Sequence, residues 1–186
     1  MPKPRKVALL VGSLRTASLN RKVALALSRL APDSLEAELV EIGDLPLYNE
    51  DLDAATPPPQ WTRFRAEMSE AEAVLFVTPE YNRSVPGLLK NAIDLGSRPY
   101  GSSIWAGKPA AVVSVSPGAI GGFGANHHLR QSLVFLDMPV MQQPEAYVGD
   151  GFHLFGDDGA IVKEGTEKFF QKFIDAFAEW IERTAK

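Results

Sequence analysis

Hydroxyls, an arginine and an amide are crowded into Gly12-Ser13-Leu14-Arg15-Thr16-Ala17-Ser18-Leu19-Asn20, directly after the apolar run Val7-Ala8-Leu9-Leu10-Val11. Such side chains pack poorly and hydrogen-bond well. At the junction of a buried strand and a following helix they suit an anion: free backbone N–H groups and the helix dipole both favour a phosphate there. Arg15 adds a charge-assisted hydrogen bond, and Asn20 an amide in the first helical turn. The alternative is an ordinary turn, with Ser18 as an N-cap and Arg15 in solvent. A Walker A lysine and its spacing are absent, as is the GxGxxG fingerprint, so a single terminal phosphate fits better than a triphosphate or a Rossmann-bound dinucleotide.

Two further segments carry chemistry. Thr78-Pro79-Glu80-Tyr81-Asn82-Arg83-Ser84-Val85-Pro86-Gly87 brackets a carboxylate, a phenol and an amide between prolines. Glu80 can accept from a heterocyclic N–H, and free backbone N–H groups can donate to ring carbonyls. The alternative is a turn with an exposed acid. Ser116-Pro117-Gly118-Ala119-Ile120-Gly121-Gly122-Phe123-Gly124 lets backbone approach a flat ligand closely, or is simply a flexible loop.

The elements that must position these loops follow from hydrophobic periodicity. Strands are predicted at Lys6–Val11, Leu35–Ile42, Ala73–Thr78 and Pro109–Val115, with a fifth starting at Met138–Met141. Helices are predicted at Leu19–Leu30, Trp61–Glu72, Pro86–Leu95, Phe123–Leu136 and Glu164–Arg183. The segment from Gly43 to Pro59 reads as a polar, proline-rich connection. Alternating strands and helices predict an α/β fold: one domain over 1–186, with a five-stranded parallel sheet and helices on both faces. Five strands suit the flavodoxin-like order 2-1-3-4-5, in which ligands sit beyond the carboxyl ends of the strands. All three polar loops fall at such ends.

Bulk properties remove other classes. Hydrophobic residues make up 45% and charged residues 23%, an ordinary globular balance. A formal charge of -4 argues against a general nucleic-acid binder. With no cysteine, disulfides, thiolate catalysis and cysteine-ligated metals are excluded. His127 and His128 are adjacent and cannot chelate one ion in the i, i+4 manner, and His153 stands alone, so no metal site is expected. The basic start precedes an apolar run of about five residues, short of the roughly 7–15 of a secretory core, and no stretch approaches the ~20 residues of a membrane span. A cytoplasmic protein without membrane or nucleic-acid partners is expected.

The combination of Gly12-Ser13-Leu14-Arg15, Ser18 and Asn20 with Pro79-Glu80-Tyr81-Asn82 and Pro86-Gly87 resembles the NAD(P)H-dependent FMN reductases. So do Leu89-Lys90-Asn91-Ala92-Ile93-Asp94, Gly107-Lys108-Pro109, Gly121-Gly122, His128-Leu129-Arg130-Gln131 with Leu133, and Pro144-Glu145. The similarity runs from about Val7 to Ala146 and is nearest the chromate- and quinone-reducing branch. It implies a flavodoxin-like fold and FMN as cofactor. Ser13, Arg15, Ser18 and Asn20 would hold the phosphate, Pro79, Glu80, Tyr81 and Asn82 would line the isoalloxazine, and Ser116 with Gly118 would close its pyrimidine side. It also implies dimers or tetramers with the flavin near a subunit interface.

Two positions depart from the branch, which often carries aromatic residues where this chain has Arg83 and His127. Arg83 suits an anionic substrate or the phosphate of NADPH, or is a solvated or interface arginine. The expected activity is hydride transfer from NADPH or NADH to FMN and then, in ping-pong order, to a quinone, azo dye, chromate or ferric complex. No protein acid or base is nominated as catalytic, and Glu80 with the loop amides would tune the reduced flavin. The rivals are a flavodoxin-like electron carrier, which would bind FMN without productive NAD(P)H oxidation, and a colourless anion-binding domain.

Overall fold

The computed structural model describes residues 3–185. Its strands are β1 (Arg5–Val11), β2 (Leu35–Leu39), β3 (Ala73–Thr78), β4 (Ala110–Val115) and β5 (Ala146–Val148). Its helices are α1 (Leu19–Arg29), α2 (Glu50–Ala55), α3 (Pro59–Glu70), α4 (Gly87–Gly96), α5 (Phe123–Phe135) and α6 (Thr166–Thr184), with a single 3₁₀ turn at Gly151–His153. The strands form one parallel sheet in the order β2-β1-β3-β4-β5, the flavodoxin-like arrangement.

Two cores follow from strand alternation. Val7, Leu9 and Val11 of β1 face one side, with Leu75, Val77, Val113 and Val115. There they meet Val23 and Leu27 of α1 and Phe170, Phe173, Phe177 and Ile181 of α6. Ala8, Leu10, Phe76 and Val112 face the other side, against Trp61, Phe64 and Met68 of α3, Leu89 and Ile93 of α4, and Leu129 and Leu133 of α5. Burial of each large side chain contributes about 1.5–3 kcal/mol. Every residue of β3 and β4 is buried, as a strand covered on both faces requires.

Three segments differ from the sequence reading. β5 lies at Ala146–Val148, not at Met138–Met141. Val140 does make an isolated parallel bridge to Ala110, but the pairing then breaks. While β4 advances from Ala110 to Val113, its neighbour runs from Val140 to Ala146. The excess residues bulge out, and Pro144 among them has no N–H to offer a ladder. The second difference is α2, inside what read as an irregular connection. It has no apolar stripe. Asn49 caps it by accepting from Asp51 N at 3.0 Å, acids fill its first turn, and Asp53 binds Arg65 of α3 through two 2.7 Å bonds. β2 also ends at Leu39, three residues short of the predicted Ile42.

Candidate functional site

β1, β3 and β4 end side by side, because β1 and β4 both pair with β3. Their three following loops therefore share one edge of the sheet. The first leaves Gly12, whose N–H is bound to Val77 O at 2.9 Å. From Ser13 to Ala17 the backbone N–H groups make no hydrogen bond within the described protein. Ser18 then caps α1, its Oγ accepting from Arg21 N at 3.1 Å. The cap leaves the hydroxyl proton free to donate. Asn20 is only 5% exposed, yet its Oδ1 has no partner. A buried amide without a partner costs about 1–3 kcal/mol, and a flip about its last torsion would present Nδ2 in place of the oxygen. Arg15 is exposed, with no carboxylate paired to it among the described residues. Unspent N–H groups, a helix N-terminus and an exposed, unpaired arginine are the kinds of donor an anion would need.

The second loop is a tight hairpin. Tyr81 N donates to Ser84 O at 3.1 Å and Ser84 N to Tyr81 O at 2.9 Å. Between them Asn82 (φ 51°) and Arg83 (φ 62°) are both left-handed, as a type I′ turn demands. Asparagine tolerates this region; arginine there costs about 1–2 kcal/mol. Glu80 holds the turn from below. Its Oε1 accepts from Arg83 at 2.9 Å, and its Oε2 accepts from Ala125 N, in the first turn of α5, at 3.0 Å. Glu80 is nearly enclosed, its side chain 12% exposed against 72% for Arg83. The expectation that Glu80 accepts from a ring N–H thus meets a carboxylate engaged at both oxygens. The free donors of this loop are the backbone N–H groups of Glu80, Asn82 and Arg83, while Tyr81 presents an exposed ring.

The third loop depends on glycine for close approach. Gly121 (φ 66°) and Gly122 (φ 75°) lead into α5. A Cβ on Gly121 would lie 2.5 Å from the carbonyl carbon of Tyr147, and one on Gly122 would lie 3.0 Å from Ser114 Cβ. Ser116 Oγ donates to Gly118 O at 3.1 Å, which folds the loop on itself. The 3₁₀ turn closes from the side, with Asp150 N donating to Gly118 O and Gly151 N to Ser116 O.

The fold therefore gathers Ser13, Arg15, Ser18, Asn20, Pro79 to Arg83, Ser116 and Gly118 along one edge. Four further residues contribute, to which sequence reasoning gave no role. Tyr147 of β5 backs Gly121, and its hydroxyl meets His127 Nε2 at 2.9 Å. Burial, helped by Glu145, pushes the Tyr147 phenol up to about 12. Asn91 of α4 clamps the segment before α2, accepting from Tyr48 N at 2.9 Å and donating to Pro46 O at 3.1 Å. Asn126 and Arg130 form a buried polar chain beneath the third loop. An amide or guanidinium at a core-facing helical position was the available signal. His127 and His128 point to different partners, His128 meeting Ser84 at 2.9 Å.

With this geometry in view, residues 5–153 match the model of the NADPH-dependent FMN reductase family. The chain belongs to that family. Among its relatives is a quinone reductase of Pseudomonas putida, 68% identical over 175 residues, 94% of each chain. A 2-hydroxy-1,4-benzoquinone reductase of a Burkholderia species is 46% identical over 176 residues, covering 95% of this chain and 96% of that one. Among solved structures, FerB, a flavoenzyme NAD(P)H:(acceptor) oxidoreductase of Paracoccus denitrificans, superposes with a TM-score of 0.91 at 46% identity, over 98% of this chain and 100% of that one. The family's cofactor and donor, FMN and a reduced nicotinamide dinucleotide, suit the donors on this edge. No helix among the described residues is long and apolar enough to cross a membrane.

Proposed function

We propose that the chain is a cytoplasmic NAD(P)H:quinone oxidoreductase, a single FMN-binding domain that assembles as a dimer or tetramer. Chromate, azo compounds and ferric complexes are its secondary oxidants. One observation carries the reading: the N–H groups of Ser13 to Ala17 are unbonded, and the buried Asn20 at the start of α1 has an unpaired amide oxygen that a turn of its last torsion exchanges for a donor. A buried polar group left unpaired inside the protein fits a ligand that pairs it.

Bound there, FMN would supply two-electron chemistry between NAD(P)H and a quinone, in ping-pong order. Ser13, Arg15, Ser18 and Asn20 hold the phosphate with the loop N–H groups. Pro79 and Tyr81 would line the ring, and the unbonded N–H groups of Glu80, Asn82 and Arg83 would be its donors. Glu80 acts indirectly, fixing the hairpin to α5. Ser116 and Gly118 close the remaining side. Arg83, with its guanidinium largely in solvent, favours an anionic substrate or the NADPH phosphate.

The test is an absorbance spectrum after adding FMN and removing the excess, followed by anaerobic NADPH and then a quinone. A retained flavin band that NADPH bleaches and quinone restores is the expected result. A retained band that NADPH leaves intact identifies an electron carrier instead. No retained band overturns both readings.

A further inference from the structure

Arg130 lies in the third turn of α5, and its guanidinium is largely buried. Its Nε donates to Asn126 Oδ1 at 2.8 Å and its Nη1 to Met141 O at 2.8 Å. Its Nη2 is buried without a partner, and no carboxylate pairs with it among the described residues. Burial holds its pKa below the usual guanidinium value, with Tyr147 and Glu145 pulling the other way. An unpaired buried cation is costly, and an apolar side chain of similar volume would fill the space more cheaply. The guanidinium fork does what an apolar chain cannot: it fixes Asn126 and Met141 O at once.

Asn126 passes that constraint on. It is wholly buried, and its Nδ2 donates to Ser114 Oγ at 3.3 Å and to Ala146 O at 3.3 Å. Ser114 Oγ in turn donates to Ala146 O at 3.4 Å. These contacts tie α5 to the end of β4 and the start of β5. The same two places carry the third loop: Gly122 rests on Ser114 Cβ, and Gly121 on the backbone of Tyr147, next to Ala146. Asn126 N also donates to Gly122 O at 3.1 Å.

We propose that Arg130 is a positioning residue for the flavin bed, setting the height of the Gly118–Gly122 loop through Asn126 and Ser114. This rests on the FMN reading above. Arg130 acts through Asn126, which ties α5 to β4 at Ser114 and to β5 at Ala146.

Two full-length variants separate this role from general scaffolding. Arg130→Lys keeps the charge and loses the fork. Asn126→Asp keeps an acceptor for Arg130 and loses both donors to Ser114 and Ala146. Each is loaded with FMN. Release on dilution is followed by flavin fluorescence, the bound ring by visible circular dichroism, and unfolding by far-ultraviolet circular dichroism. Release about tenfold faster in both, the effect of one lost buried hydrogen bond, with an altered visible spectrum below the unfolding transition, is the expected result. Release and spectrum matching the parent overturn the proposal, as does faster release only in step with unfolding. Ser114→Ala probes the far end of the same chain should either variant not fold. A parent that retains no FMN overturns this proposal together with the functional reading, whereas a parent that retains it beside unaffected variants overturns this proposal alone.

Discussion

At the amino end of the sheet, Arg5 is shared between Glu72 at 2.6 Å and Glu182 at 3.2 Å, Lys6 pairs with Glu70 at 2.9 Å, and Lys108 Nζ donates to Met68 O. At the carboxyl end, among the described residues, Arg15 has no such partner, Asn20 Oδ1 is orphaned, and the N–H groups of Ser13 to Ala17 are unspent. In a parallel sheet with crossover helices, the helix N-termini and their free N–H groups lie at the carboxyl end. The difference lies in how far each end satisfies itself. The amino end closes its charges internally and so ties α3, β1 and α6 together. The carboxyl end leaves donors open and accepts left-handed strain at Arg83, which a self-sufficient turn would avoid.

That contrast can be broken or sharpened by substitution. The largest effect belongs to a pair at neither end, a reference for what a buried ion pair contributes. Asp53→Ala strips Arg65 of its bidentate partner, whose side chain is nearly inaccessible, and should lower unfolding stability by about 3–5 kcal/mol in urea titrations. The parent's pH dependence should agree. Hydrogen bonds from Arg65 hold the Asp53 carboxyl below its ordinary 3.8. The stability it contributes is therefore complete above that value and is lost as pH falls through the folded pKa.

Next comes the open end. Arg15→Ala should weaken FMN binding by about 10- to 100-fold, the range of a charge-assisted hydrogen bond, with the flavin-free melting point unchanged. A fall in melting point with intact FMN affinity would make Arg15 a scaffold residue and erase the contrast. Glu72→Gln at the closed end should do the converse. It should lower stability only slightly, because the pair with Arg5 is just over a third exposed and water-screened, and leave FMN titration curves superimposable on the parent's. The smallest effect is at Arg83→Gly. Glycine relieves the left-handed residue by about 1 kcal/mol and loses the exposed partner of Glu80. Melting should be level or slightly raised, while the KM for NADPH rises; an unchanged KM would leave Arg83 without a role in binding the donor.

Most of the scaffold was legible along the chain, because a strand buried on both faces reads as a plain aliphatic run and a surface helix as a stripe. Ala73–Thr78 was bounded correctly for that reason, and α1 and α5 to within a residue. β5 was not, because three residues flanked by a proline-containing bulge carry no period to detect. α2 was not, because an asparagine cap and an ion pair to α3 hold it in place of an apolar face. In the loops, residue types announced donors and acceptors but not their engagement. Ser18 was read both as a cap and as a phosphate ligand, and its geometry allows it to be the first while free to be the second.

The sequence by itself determined the alternation of elements, the sides of the sheet that each strand residue faces, and the three polar loops at successive strand ends. These are local properties, set by periods of two and 3.6 residues and by glycine, proline and hydroxyl chemistry. Only the tertiary structure decided which of those polar groups are already spent. Glu80 is consumed by Arg83 and the α5 N-terminus, Asn126 by Arg130 and Ser114, while Asn20 and the Ser13–Ala17 amides stay open. Whether a donor or acceptor is free depends on partners far off in sequence, 45 residues for Glu80 and Ala125, and no local pattern records them.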